Sequence, residues 1–209
     1  MDMLKTTEIF FDANAQKHED SLLALDWGSK RTQELRFFIL SEIADLNNKT
    51  ILDVGCGFAD FFVFLTQKLQ LNISYTGVDI SQNIITTAKA KHPDLDLRHL
   101  NILRESIEPF DYVFGSGIHN IKTTQNYTLL EMLLKQMFAI AKEGVATNMI
   151  DASFDANLAE HIFAYEKKRV IETVESITPY YCLRSDYLPH DFTLFLYKND
   201  WATRNSYEA

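Results

Sequence analysis

The chain has 209 residues, 46% of them hydrophobic and 23% charged, and a formal net charge of −9 shared by its first 150 residues and the remainder. That length suits one domain around a single large core, and acidity throughout lacks the electrostatic footprint of a nucleic-acid binder. Two cysteines without metal-ligand spacing, no apolar run of membrane-spanning length and no secretory leader predict a cytoplasmic protein with no disulfide framework, metal, membrane or nucleic-acid partner.

Residues 1–47 mix polar and apolar positions and carry no strand signal. In "TQELRFFILSEIADL" (32–46), Leu35, Phe38, Ile39 and Ile43 recur at helical spacing, so a helical cap with one buried face is expected over 1–47. After a turn at "NNK", "TILDV" (50–54) is a short β-branched apolar run, read as a buried strand. "ADFFVFLTQKL" (59–69) spaces its apolar residues as a helix does. "YTGVDI" (75–80) is strand-like, and "SQNIITTAKAK" (81–91) is a helix that Ser81 can cap and Pro93 cannot continue. "LDLRHL" (95–100) and "DYVFGS" (111–116) read as strands. "TLLEMLLKQMFAIAKEG" (128–144) reads as a long helix closed by Lys142 and Gly144, followed by a fifth strand at "VATNMI" (145–150). Val170, Ile171, Val174 and Ile177 mark a helix within 160–178 that stops before Pro179, its "KKR" (167–169) a solvated face. "YYCLRSDY" (180–187) and "FTLFLYK" (192–198) flank the turn-like "LPHD" as a hairpin.

Strands alternating with helices imply an α/β fold: a doubly wound, mostly parallel seven-stranded sheet with helices on both faces and an antiparallel C-terminal hairpin strand. No repeat, low-complexity stretch or linker divides residues 48–209, which read as one Rossmann-like unit beneath the cap.

In "ILDVGCGFAD" (51–60) the first strand breaks into glycine. Gly55 and Gly57 let the chain turn sharply and lay bare backbone against a ligand, and small Ala59 keeps the next helix close to the sheet. In open α/β sheets ligands bind beyond the carboxyl ends of the strands, where strand order reverses. Asp79 ends the second strand, where an acid can accept hydrogen bonds from both hydroxyls of a ribose; the plainer alternative is an acid capping the helix at "SQN".

In these stretches the sequence resembles the class I S-adenosylmethionine-dependent methyltransferases. "ILDVGCGFAD" is similar to their first motif, "YTGVDIS" to the acidic motif after the second strand, "FDYVFGSGIHN" to the motif at the fourth strand, and the final hairpin to their closing strands. The resemblance covers roughly residues 48–200, with Ala59 where the family often has a third glycine. A nicotinamide-dependent oxidoreductase is a rival reading. Such folds want three phosphate-facing glycines, whereas Asp53 and Asp60 flank this loop and suit a cationic ligand. A non-catalytic S-adenosylmethionine-binding protein is a further alternative.

The resemblance implies that S-adenosyl-L-methionine is the cofactor. Its methionine part would lie against Asp53, Gly55, Cys56 and Gly57, its ribose on Asp79, and its adenine against Ile80 and the backbone of Leu100. Asn101 would approach the adenine amine or else serve as a turn residue capping "ILRES". Ser116 and Gly117 would mark where the methyl points, Trp27 would roof the pocket, and Arg36 would pair with the cofactor carboxylate or form a surface salt bridge. His119 is the candidate base, or a residue that caps or packs the next helix. No "NPPY"-like string follows the fourth strand, which argues against a nucleobase or glutamine amide as acceptor, and no Pro-Cys pair suits attack on a pyrimidine. A small-molecule O- or N-acceptor is expected, in a pocket built from 1–47, 116–124 and 150–166.

Overall fold

The structure is a computed structural model that describes residues 4–154 and 158–200. Ahead of the first strand lie α1 (Lys5–His18), a 3-10 turn (Leu22–Leu25) and α2 (Lys30–Ser41), which begins where the Ser29 hydroxyl accepts the Thr32 N–H. Then follow β1 (Thr50–Val54), α3 (Asp60–Val63), a π-type turn (Phe64–Lys68), β2 (Ser74–Asp79), α4 (Gln82–Lys91), β3 (Asp96–His99) and β4 (Phe110–Gly115). The chain continues with α5 (Asn126–Ile140), β5 (Ala141–Ile150), α6 (Lys167–Glu175), β6 (Tyr181–Arg184) and β7 (Asp191–Tyr197).

The seven strands form one sheet in the order β3-β2-β1-β4-β5-β7-β6, parallel except for β7, which runs antiparallel to both neighbours. One face carries α5, whose Leu130, Leu134 and Met137 pack on Val113, Val145 and Leu194. The other carries α2 and α3, whose Phe37, Leu40 and Phe61 pack on Ile51, Phe114 and Phe195. Around α4 the side chains of Ala15, Phe58 and Ile84 cluster, which ties α1 to this side as well. Strand order reverses between β1 and β4, and both strands end in glycine-containing loops at the same edge of the sheet. That edge holds the site.

Two boundaries differ from the sequence reading. The long helix stops at Ile140, and β5 starts at once with Ala141, so Lys142 and Gly144 belong to a strand rather than a helix end. The reason is tertiary. Lys142 reaches Asp111 (3.0 Å), and Gly144 pairs with Tyr197 so closely that an added Cβ would lie 2.8 Å from the Leu196 carbonyl. Likewise the helix placed within 160–178 is only α6. Residues 159–162 close a turn in which the Ile162 N–H donates to the Ala159 carbonyl (2.9 Å), and the segment up to α6 is held by an Ile121–Ile162 bridge and by the Tyr165 N–H donating to the Ile150 carbonyl (2.7 Å).

Candidate active site

The loop after β1 is shaped by backbone that favours glycine. Gly55 and Gly57 have φ of +68° and +55°, and their N–H side is tied down where Gly55 N and Cys56 N both donate to the Val78 carbonyl. A Cβ on Gly55 would lie 2.5 Å from Ile118 Cγ2, and one on Gly57 2.8 Å from Leu25 Cδ1. Ala59 also has positive φ (+61°), so the position where the resemblance leads one to expect glycine does make a glycine-like turn, with a methyl in place.

Above this loop lies a cavity of about 480 Å³. Of the residues singled out from the sequence, Asp53, Gly55, Cys56, Gly57, Asp79, Ile80, Leu100, Ser116, Gly117, Arg36 and Trp27 all line it. So does Asp60, which accepts from Gln33 Nε2 (3.2 Å) and faces Lys30 (3.4 Å). Trp27 lies over Gly117, where an added Cβ would meet its ring at 3.6 Å, and Arg36 stacks on that ring with its Cζ 5.1 Å from the centroid.

Two buried carboxylates dominate the electrostatics. Asp53, 3% exposed, accepts from the Tyr75 hydroxyl (2.6 Å). Asp79 accepts from the backbone N–H groups of Ser81 (2.9 Å) and Gly57 (3.2 Å), so the same acid braces the glycine loop and faces the cavity. Burial pushes Asp53 up to about 7 and Asp79 up to about 6, and burial likewise raises the Cys56 thiol. Among the described residues neither acid is ion-paired. The loop therefore offers a cationic ligand two buried acids, of which Asp53 has no cation beside it and Asp79 only the His99 imidazole favouring its charge.

Arg36 does not sit at the surface. Its Nε lies 2.5 Å from Asp191 of β7, and the two side chains are 12% and 2% exposed. Nη2 approaches His190 Nε2 at 3.5 Å, so the guanidinium lies at the cavity wall with its Nε side anchored.

Two expectations need correction. Asn101 does not line the cavity; its Oδ1 accepts the Leu103 N–H (3.0 Å), so it caps its own turn and only its neighbours Leu100 and Ile102 reach the ligand space. His119 does not line the cavity either. Thr147 gives its one hydroxyl proton to the Gly115 carbonyl (2.7 Å) and so accepts from His119 Nε2–H at 3.0 Å. The imidazole is thus neutral, 3% exposed, and burial pushes its pKa down to about 3. A ring placed in this way packs against β5 rather than lining the cavity.

Sequence reasoning missed several cavity residues. His190 enters from the β6–β7 turn, which reads only as a turn; Gln33 and Asn120 carry no motif at all. Asp26 lines the mouth and meets His161 Nε2 at 2.9 Å, with Phe10 stacked on that imidazole (4.9 Å between centroids). Tyr75, which does not line the cavity but donates to Asp53, was hidden inside a strand pattern. The pocket segments expected from 1–47, 116–124 and 150–166 do supply lining residues, to which β6–β7 and α5 add His190 and Leu133.

A sheet in this order, with a glycine loop after β1 and an acid ending β2, is the fold of the class I S-adenosylmethionine-dependent methyltransferases. Residues 51–144 match the family model described as a methyltransferase domain. It is 28% identical over 113 residues to a demethylmenaquinone methyltransferase of Oceanobacillus iheyensis, which covers 50% of this chain and 45% of that protein. A protein of the same name from Lysinibacillus sphaericus is 31% identical over 99 residues, or 44% of this chain and 40% of the relative. The chain thus aligns with less than half the length of either relative. Among solved structures, magnesium protoporphyrin IX methyltransferase from Synechocystis with bound S-adenosylmethionine superposes with a TM-score of 0.70 at 10% identity, covering 95% of this chain and 98% of that one. A putative S-adenosylmethionine-dependent methyltransferase from Listeria monocytogenes gives 0.58 at 16% identity, over 80% and 100%. Among the described residues no helix is long and apolar enough to cross a membrane.

Proposed function

We propose that this protein is an S-adenosylmethionine-dependent methyltransferase acting on a small-molecule O- or N-acceptor, with residues 1–47 as a cap over the catalytic unit. The observation that carries the reading is the pair of buried, unpaired carboxylates, Asp53 and Asp79, on either side of a loop of bare glycine backbone. Such a site suits a ligand that brings positive charge and a ribose, and it disfavours the pyrophosphate of a nicotinamide dinucleotide. The cofactor supplies an electrophilic methyl on a sulfonium.

The chain's own residues do the rest. Gly55 and Gly57 admit the ligand to the backbone, Asp79 offers carboxylate oxygens to ribose hydroxyls, and Ile80, Leu100 and Ile102 provide an apolar wall for adenine. Arg36 faces a carboxylate with its terminal nitrogens while Asp191 holds its Nε. Trp27 and the cap exclude water above Gly117, and an in-line displacement asks for little beyond that alignment and desolvation. The names of the matched relatives and of the Synechocystis protein, all methyltransferases of small molecules, support the acceptor class, as does the largely apolar wall formed by Phe11, Phe37, Ile118, Ile121, Ile150 and Ile162.

The test is transfer of label from methyl-labelled S-adenosylmethionine to a panel of apolar hydroxyl and amine compounds. Label in an extractable small molecule is the expected result. Binding of the donor with no transfer to any small molecule, but transfer to protein or nucleic acid, would overturn the acceptor class.

A further inference from the structure

Tyr75 lies on β2, outside every motif that the glycine loop and its acids define. Its hydroxyl donates to Asp53 Oδ2 at 2.6 Å, across the pairing of β2 with β1. The phenol is 7% exposed and its ring is held against Phe62 of α3 at 5.3 Å, so the donor cannot swing away. Asp53, by contrast, opens onto the cavity. A buried acid normally keeps its charge through a cation or several N–H donors. Here the side-chain partner is one neutral hydroxyl.

The charged and titratable groups around the pair all push the same way. Asp79 at the end of β2 disfavours ionisation of Asp53, while Cys56 in the loop and Asp60 of α3 stand near the phenol. The nearby cations are committed elsewhere, Lys30 to Asp60 and Arg36 to Asp191. Only the Tyr75 hydroxyl favours the carboxylate form.

We propose that Tyr75 is a positioning residue that aims the Asp53 carboxylate into the cavity and fixes the pH range in which the cavity accepts a cationic ligand. The inference rests on the function proposed above, because it takes the sulfonium donor as that ligand. A cation arriving beside Asp53 favours its ionised form, so binding releases a proton wherever Asp53 is protonated in the free protein. Below that range the cavity presents a neutral acid to a positive ligand and affinity falls. Removing the hydroxyl removes the one group that opposes burial, and the range moves to higher pH.

The experiment is calorimetric titration of the full chain with S-adenosylmethionine from pH 5.5 to 8.5, each point in two buffers of different ionisation enthalpy. The parent is expected to release protons on binding below about pH 7, where Asp53 titrates. In Tyr75→Phe the affinity profile is expected to shift upward by about one pH unit, a Kd roughly fivefold weaker near pH 7 and about tenfold weaker toward pH 5.5, a difference that closes at higher pH. Asp53→Asn should lose the corresponding proton release altogether. Should Tyr75→Phe not fold, carbon-13 signals of labelled tyrosine in the parent give the answer: the Tyr75 resonance should follow pH through the same range and cease to do so once the donor is bound. A Tyr75→Phe profile parallel to the parent at every pH, or a Tyr75 resonance indifferent to both pH and ligand, would overturn the proposal and leave Tyr75 a core residue. A parent that binds no S-adenosylmethionine at any pH would instead sink the functional reading.

Discussion

Asp79 serves two masters: it holds the Gly57 and Ser81 N–H groups and it faces the cavity. Asp79→Ala is therefore expected to weaken S-adenosylmethionine binding by about 1–3 kcal/mol, measured by calorimetry, because a charge-assisted contact and the loop brace are lost together. Gly57→Val should do worse and also melt earlier, since φ of +55° is strained for a branched residue and its Cβ would lie 2.8 Å from Leu25 Cδ1. His119 and Asp53 give opposite pH signatures. His119 has its pKa pushed down to about 3 in the folded state, against about 6.5 unfolded, so the unfolded chain takes the proton first. Its contribution to stability is present above pH 6.5 and is lost as pH falls toward 3. His119→Gln keeps a donor for Thr147 and removes the titration, so its melting temperature should fall less between those pH values than that of the parent. Asp53 is raised to about 7 from about 3.8, so its contribution is full below 3.8 and is lost as pH rises through 7. Asp53→Asn should accordingly melt higher than the parent at pH 8 while binding the donor more weakly; a lower melting temperature there would mean that the carboxylate is not paying a burial cost. The acids and glycines of this site were legible because each type has few other uses at a strand end. His119 was not, because a histidine beside a motif looks the same in one dimension whether its ring turns to the ligand or to Thr147.

At the scale of elements, the alternation of strands and helices was written plainly in apolar periodicity, since the central parallel strands β1, β2, β4 and β5 are buried on both faces and the helices on one. The boundary between α5 and β5 was not. "AIAKEG" carries helix-ending residues, and local propensity alone favours carrying the helix to Gly144. Pairing overrides it: Ala141 is already in register with Phe110 of β4, and Gly144 is needed where the Leu196 carbonyl leaves no room for a side chain. Gly144→Ala is expected to cost about 1–3 kcal/mol in chemical unfolding, with β5 pushed off β7. The α6 region shows the complementary error. Its apolar residues before Lys167 pack on the loop after β4 and on Ile150, contacts distant in sequence, so their spacing carries no helical period to read.

At the scale of the whole molecule, the N-terminal helices and the sheet meet in the Arg36–Asp191 pair, which joins α2 to β7 at the wall of the cavity. Breaking a buried pair from one side strands the other charge. Arg36→Ala should lower stability by about 3–5 kcal/mol, and the double change with Asp191→Ala should recover much of that loss; additive losses in the double-mutant cycle would show that the two residues act independently. The pair also explains why Arg36 could not be placed from sequence, because its partner lies 155 positions away at the start of the last strand. All of these elements converge on one requirement: a ligand that carries positive charge to Asp53 and hydroxyls to Asp79, with no pyrophosphate. The most direct measurement is calorimetric titration of the full chain at pH 7.5 with S-adenosylmethionine and, separately, with reduced nicotinamide adenine dinucleotide. Saturable binding of the methyl donor and none of the dinucleotide is the predicted result; binding of the dinucleotide without the donor would contradict the assignment of the site.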